Sequence, residues 1–113
     1  MDLIHAQQGE YLVVTVNAAR IEASAALEFK ASMNAIDESN SKILLNLEQV
    51  EFIDSSGLGA VVSVIKHLAK GRKMDLCALT PTVEKVFRLT RMDSIFEIYA
   101  TLEQAVSDQK ATG

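Results

Sequence analysis

Three side chains able to do chemistry stand in a row, Asp54, Ser55 and Ser56, and Gly57-Leu58-Gly59 follows them at the point where strand-like sequence gives way to helix-like sequence. A carboxylate beside two hydroxyls can serve three ends. It can cap a helix, because a helix start leaves backbone N–H groups without intrahelical partners and Asp or Ser side chains accept from them. A serine can attack a substrate, given a base within hydrogen-bond reach and donors for the oxyanion. A hydroxyl can also accept a phosphate, which the helix amides and the positive end of the helix dipole favour at that place. Capping engages one of these side chains. It leaves unexplained a second hydroxyl and the small, unhindered Ser56-Gly57-Leu58-Gly59 run that opens it to a large partner.

Catalysis by this chain finds little support. The segment is not GxSxG, and the two histidines are His5 and His67. His67 lies about three helical turns from the serines, roughly 16 to 18 Å along the axis, too far to be their base. A phosphate-cradling GxxxxGK[ST] loop is absent, and the histidines have no HxxxH or HxH spacing. Cys77 is the single cysteine, which rules out an intrachain disulfide or a multi-cysteine metal site; within Asp75-Leu76-Cys77-Ala78-Leu79 it reads as a small buried hydrophobe. No metal, cofactor or enzymatic activity of its own is expected. Asp54 reads as a capping and serine-orienting group rather than an acid or base.

The chain has 113 residues, 49% of them apolar and 23% charged, the composition of a soluble globular protein. One domain over residues 1–113 is expected, burying roughly two-thirds of the surface its unfolded chain exposes, with a polar tail from about residue 107 expected to be disordered. Eleven Lys and Arg against fifteen Asp and Glu give a net charge of −4, with Lys70-Gly71-Arg72-Lys73 as the longest basic cluster, so nucleic acid is an unsuitable partner. The apolar runs are too short to cross a bilayer and Met1–Glu10 does not read as a signal peptide, which leads to the cytoplasm as the expected location.

These elements must position the hydroxyls. Leu3–Ala6 and Tyr11–Asn17 read as two strands of a hairpin turning at Gln8-Gly9. From Ser24 to about Asp37, Ala25, Phe29, Met33 and Ile36 fall on one side of a helix. Lys42–Leu47 is too short and too apolar for anything but a central strand buried on both faces. After the serines, Leu58, Val61, Val62, Ile65, Leu68 and Ala69 form an apolar helical stripe opposite Gly59, Ser63, Lys66, His67 and Lys70, and Gly71 suits the helix end. Met74–Leu79 reads as a strand. Thr80-Pro81 opens a helix buried through Val83, Val86 and Phe87. Ile95–Tyr99 is a last strand, and Thr101 with Gln104 forms a capping-box pattern before a helix with Leu102, Ala105 and Val106 inward. The order ββαβαβαβα predicts an α/β fold: a mixed four- to five-stranded sheet with an N-terminal antiparallel hairpin, parallel crossovers and about four helices.

The run from Ile43 through Tyr99, with apolar-Asp54-Ser55-Ser56-Gly57-Leu58-Gly59 following Asn46-Leu47-Glu48-Gln49-Val50-Glu51-Phe52-Ile53, resembles the anti-sigma-factor antagonists, single-domain members of the STAS group. The resemblance implies a partner switch. The unmodified protein binds an anti-sigma factor that is also an ATP-dependent serine kinase, freeing its sigma factor. Phosphorylation ends the binding, and a metal-dependent phosphatase restores it. The modified hydroxyl in that family directly follows the aspartate, which is Ser55 here. One departure stands out: Ala18–Ser24 has Ala19 and Glu22 where family members often have the glycine and aspartate of Gly-Glu-Leu-Asp, a loop that contributes to partner contact. The same domain also serves in stress-signalling scaffolds and lipid-transporter subunits that need no serine phosphorylation. The expected docking surface is Glu22, Asp54, Ser56 and Gly57 with Ala60, Ser63, Val64 and His67 on the helix face, Ala60 being read as the most open of these; the free chain is expected to be a monomer.

Overall fold

A strand with consecutive large apolar residues, Ile43-Leu44-Leu45, needs cover on both faces, and the sheet is built around it. The computed structural model describes residues 2–34, 42–68, 73–94 and 96–112. The chain runs β1 (Asp2–Gln8), β2 (Tyr11–Asn17), β3 (Arg20–Ile21), α1 (Ala23–Asn34), β4 (Lys42–Asn46), β5 (Phe52–Ile53), α2 (Ser55–Leu68), β6 (Lys73–Cys77), α3 (Pro81–Leu89), a 3₁₀ turn (Met92–Ser94), β7 (Glu97–Tyr99) and α4 (Leu102–Thr112). Five strands form one sheet in the order β1-β2-β4-β6-β7, which puts β4 at its centre. β1 is antiparallel to β2 and the other pairs are parallel. The mixed sheet, the N-terminal hairpin and the four helices agree with the sequence expectation.

Period-2 alternation divides the core between the two faces. Leu12, Val14 and Val16 of β2 with Ile43 and Leu45 of β4 pack beneath α1, α2 and α3, against Phe29, Met33, Val61, Val83 and Phe87. Tyr11, Val13, Leu44, Cys77 and Tyr99 project to the opposite face, where Ala105 of α4 joins them. Three helices on one side and one on the other satisfy the two-faced burial of β4.

Element edges differ from expectation for local reasons. Gln8 stands opposite Tyr11, so the hairpin turns over Gly9-Glu10, one residue further on, with Gly9 at a φ of +59° that glycine takes without steric cost. β6 stops at Cys77 because Ala78 has a φ of +58° and donates its N–H to the Tyr99 carbonyl at 3.0 Å, leaving the strand geometry. Pro81 opens α3 as expected, but the Thr80 hydroxyl donates to the Val50 carbonyl at 2.7 Å rather than capping the helix. In α4 the Gln104 N–H donates to the Thr101 hydroxyl at 3.0 Å, and the Gln104 side chain accepts from the Ala100 N–H at 3.2 Å, a capping box whose return bond falls one residue early. Ile36, Asp37, Ala69, Lys70, Gly71 and Ile95, and the side chains of Ala25, Ile65, His67 and Leu68, lie outside the described residues. Among the described residues no helix is long and apolar enough to cross a membrane.

Candidate functional site

β3 and β5 form a two-stranded parallel strip absent from the sequence reading, with Arg20 beside Phe52 and Ile21 beside Ile53. Ile21 and Ile53 are buried, so alternation turns Arg20, Glu22, Phe52 and Asp54 to the opposite, outer face. The Ala19 carbonyl accepts from the N–H groups of Glu51 and Phe52 at 2.7 and 3.2 Å, and the Ile21 carbonyl accepts from the Asp54 N–H at 3.3 Å. The loop before α1 is thereby fastened to the segment that leads into the serines.

Asp54 caps α2. Its Oδ1 accepts from the Gly57 N–H at 2.7 Å, and its carbonyl accepts from the Leu58 N–H at 2.8 Å. The helix therefore begins on Ser55, and both serines occupy its first turn rather than preceding it, each exposed. With the cap made by the carboxylate, neither hydroxyl is spent on that role. Gly57 is buried for a separate reason: a Cβ there would stand 2.0 Å from the Ile21 carbonyl oxygen and 2.8 Å from its carbon. Only a glycine allows α2 to start this close to β3.

The expected docking residues divide. Ser55, Ser56 and Ser63 are exposed, and Asp54 and Glu22 are half-buried beside them. Gly57 is buried, and so are Ala60 and Val64, at 6% and 1% exposure, which corrects their expected place on the partner surface and the reading of Ala60 as the most open. The cause is that α2 packs on α1 as well as on the sheet, so its apolar face is wider than a single stripe: Leu58, Ala60, Val61 and Val64 are buried while Val62, expected inside, is half-exposed. Among the described residues, α2 leaves open, besides Ser55 itself, Ser56, Gly59, Ser63 and Lys66, one helical row leading away from it.

Arg20 is the residue of this region that pattern reading passed over. Its guanidinium lies 4.4 Å from the Phe52 ring centroid and its Nε donates to Glu22 Oε1 at 2.5 Å, in an exposed position. The signal was present in the sequence: Ala19-Arg20-Ile21-Glu22 and Glu51-Phe52-Ile53-Asp54 are two short alternating stretches with an isoleucine at the third place of each. Among the described residues no cluster of His, Cys, Asp and Glu has the arrangement to hold a metal ion.

The fold and these residues can be set beside known proteins. Residues 3–105 match the STAS domain family model. The chain belongs to the STAS domain family. This STAS domain is 31% identical over 106 residues to BtrV of Bordetella bronchiseptica, provisionally named an anti-sigma factor antagonist, covering 93% of the chain and 84% of BtrV. It is 35% identical over 74 residues to a Thermotoga maritima protein of the same provisional name, a match spanning 65% of the chain and 66% of that protein. Among solved structures, the Bacillus anti-sigma factor antagonist SpoIIAA is 26% identical in both its unphosphorylated and its phosphorylated form, with TM-scores of 0.71 and 0.65. These matches cover 97% of each chain for the first form, and 95% of this chain and 98% of SpoIIAA for the second.

Proposed function

We propose that this STAS domain is an anti-sigma-factor antagonist of the cytoplasm, switched off by phosphorylation of Ser55. The observation that carries the reading is an exposed hydroxyl in the first turn of α2, directly after a capping aspartate, in a chain similar to a protein known in phosphorylated and unphosphorylated forms. In the unmodified state, Ser55 and the open row Ser56, Gly59, Ser63 and Lys66, with the neighbouring strip, dock an anti-sigma factor that is also a serine kinase. Sharing one surface for docking and chemistry follows from the site itself, because the partner's nucleotide must reach Ser55.

The chain supplies an acceptor and no catalysis. The partner's ATP transfers its γ-phosphoryl group to Ser55 Oγ, the Pγ–O bond to ADP breaks, and the hydroxyl proton leaves to a base of the partner; magnesium and base both belong to the kinase. The product carries about −1.5 to −2 charge next to Asp54. Within the interface this adds like-charge repulsion and the desolvation of a dianion. A penalty of about 2.8 kcal/mol would weaken binding roughly a hundredfold. The helix amides tolerate the phosphate, so the fold stays as it is and the switch is local. A metal-dependent phosphatase reverses it.

Affinity purification of tagged protein from its native cytoplasm, with mass spectrometry of partners and phosphosites, identifies the kinase and tests the reading. Against that kinase, Ser55→Asp is expected to bind about a hundredfold more weakly with an unchanged melting curve, and Ser55→Ala to bind without accepting phosphate. Normal binding by Ser55→Asp, or phosphate found on Ser56 in place of Ser55, overturns it. A scaffold or transporter subunit would instead copurify with a large assembly and take no serine phosphate.

A further inference from the structure

Among the described residues, the outer face of the β3–β5 strip carries the carboxylates of Glu22 and Asp54 and one cation, Arg20. Glu22 and Asp54 border the start of α2, and Arg20 is bound to Glu22 at 2.5 Å and lies 4.4 Å from the Phe52 ring centroid. Arg20 pairs in register with Phe52, about 4.8 Å across the strip, and Phe52 precedes Ser55 by three residues, at most about 10 Å along the chain because the strand ends at Ile53 and Ser55 is in the first helical turn. An extended arginine and a phosphoserine side chain together span that separation. The existing ion pair is weak by position: both side chains are exposed, and such a pair contributes about 0.2–1 kcal/mol.

We propose that a phosphate on Ser55 takes Arg20 from Glu22, making Arg20 the internal receiver of the modification. This rests on Ser55 being the modified hydroxyl. A dianion outcompetes a carboxylate for a planar guanidinium because it offers more charge and a matching pair of acceptor oxygens. The exchange has two consequences at the surface: Glu22 loses its cation, and Arg20 leaves the Phe52 ring. Phosphorylation then changes the docking strip as well as the helix start, adding an unpaired Glu22 to the repulsion felt by an approaching kinase. The amides of α2 alone would produce neither effect, since they act on the phosphate and leave the strip untouched.

The test requires no kinase. Phosphoserine is incorporated at position 55 of the full chain during translation, and its titration is followed by phosphorus NMR in the wild type, Arg20→Gln, Glu22→Gln and the double variant. The midpoint is expected about half a pH unit higher in Arg20→Gln than in the wild type. Glu22→Gln is expected to lower it, and by more with Arg20 present than in the Arg20→Gln background, since the released arginine is then free to serve the phosphate. Equal midpoints in wild type and Arg20→Gln, or a Glu22→Gln shift independent of residue 20, overturn the proposal. Should Arg20→Gln melt early, Arg20→Lys keeps the charge without the planar fork and is expected to titrate above the wild type by less than about half a pH unit; no difference there also overturns it. Because the phosphate is installed synthetically, a negative result speaks against Arg20, whereas failure of any cellular kinase to modify Ser55 speaks against the functional reading itself.

Discussion

Asp54 and Asp75 are both hydrogen-bonded aspartates that hold a neighbour in place, yet the fold uses them in opposite ways. Asp54 is half-buried at the lip of α2, where it accepts a backbone N–H and leaves the hydroxyl beside it exposed. Asp75 is 1% exposed, with the Tyr11 hydroxyl donating to it across the sheet face that α4 covers. Burial, and then the Asp75 carboxylate, push the Tyr11 phenol far above its ordinary range. Polar chemistry sealed inside the sheet can specify packing but cannot be reached by another protein. Chemistry placed where a strand ends and a helix begins can be reached without loosening the core, and under the proposed function this segregation is what would let a phosphate be added without unfolding the domain.

The most damaging change is expected where the accessible site touches the core. Gly57→Ala places a methyl 2.0 Å from a backbone oxygen that cannot rotate away; the helix start or β3 must shift, at a cost of about 3 kcal/mol or more. Urea unfolding should show the loss, and a midpoint equal to wild type would mean that the strip and α2 are not locked together. The sealed region should reveal itself next, by its response to alkali. Burial, followed by the Glu48 and Glu103 carboxylates, holds the Cys77 thiol up to about 12 against an ordinary 9.0. Above pH 9 the unfolded chain gives up that proton while the folded chain keeps it, so stability falls as pH rises, by about 1.4 kcal/mol per unit. Chemical unfolding should lose roughly 2 kcal/mol between about pH 9 and 10.5 through this group. Cys77→Ala should flatten that slope; an unchanged slope would show that the thiol exchanges with solvent as freely as the serines do.

Strong periodicity made most of the architecture legible, and the failures have physical causes. Ile43-Leu44-Leu45 could only be a central strand, and Phe29 with Met33 could only face inward. Two-residue strands have too few alternations to register as a pattern, which hid β3–β5 and with it the stacking of Arg20 on Phe52. The α2 face was misread for a different reason: a stripe drawn from large apolar residues ranks alanine and glycine as open, but small residues are what let α1 and β3 come close. Ala60 and Gly57 are buried because they are small. At the site itself, the aspartate and two hydroxyls were legible as a helix start with Asp54 as a capping group, the role its Oδ1 holds toward the Gly57 N–H, whereas the first helical residue was placed after the serines because two exposed hydroxyls carry no apolar periodicity to mark them as helical.

Smaller effects sharpen the contrast within α2. Asp54→Ala removes the acceptor for the Gly57 N–H and should cost about 1 kcal/mol. Asp54→Asn, which keeps an oxygen at that place, should recover most of the loss; equal damage from both would transfer the role of the aspartate from capping to charge. The least effect, and the one of opposite sign, belongs to Gly59. It lies two residues beyond Gly57 in the same helix, but a Cβ there meets nothing within 4 Å. Gly59→Ala should therefore stabilise the domain by about 0.4–1 kcal/mol, because alanine loses less backbone freedom on entering a helix. If Gly59 belongs to the docking row beside Ser56 and Ser63, the same methyl should weaken kinase binding while it strengthens the fold. Opposite movement of melting temperature and affinity in a single variant separates a glycine kept open for a partner from Gly57, a glycine required by the chain's own packing.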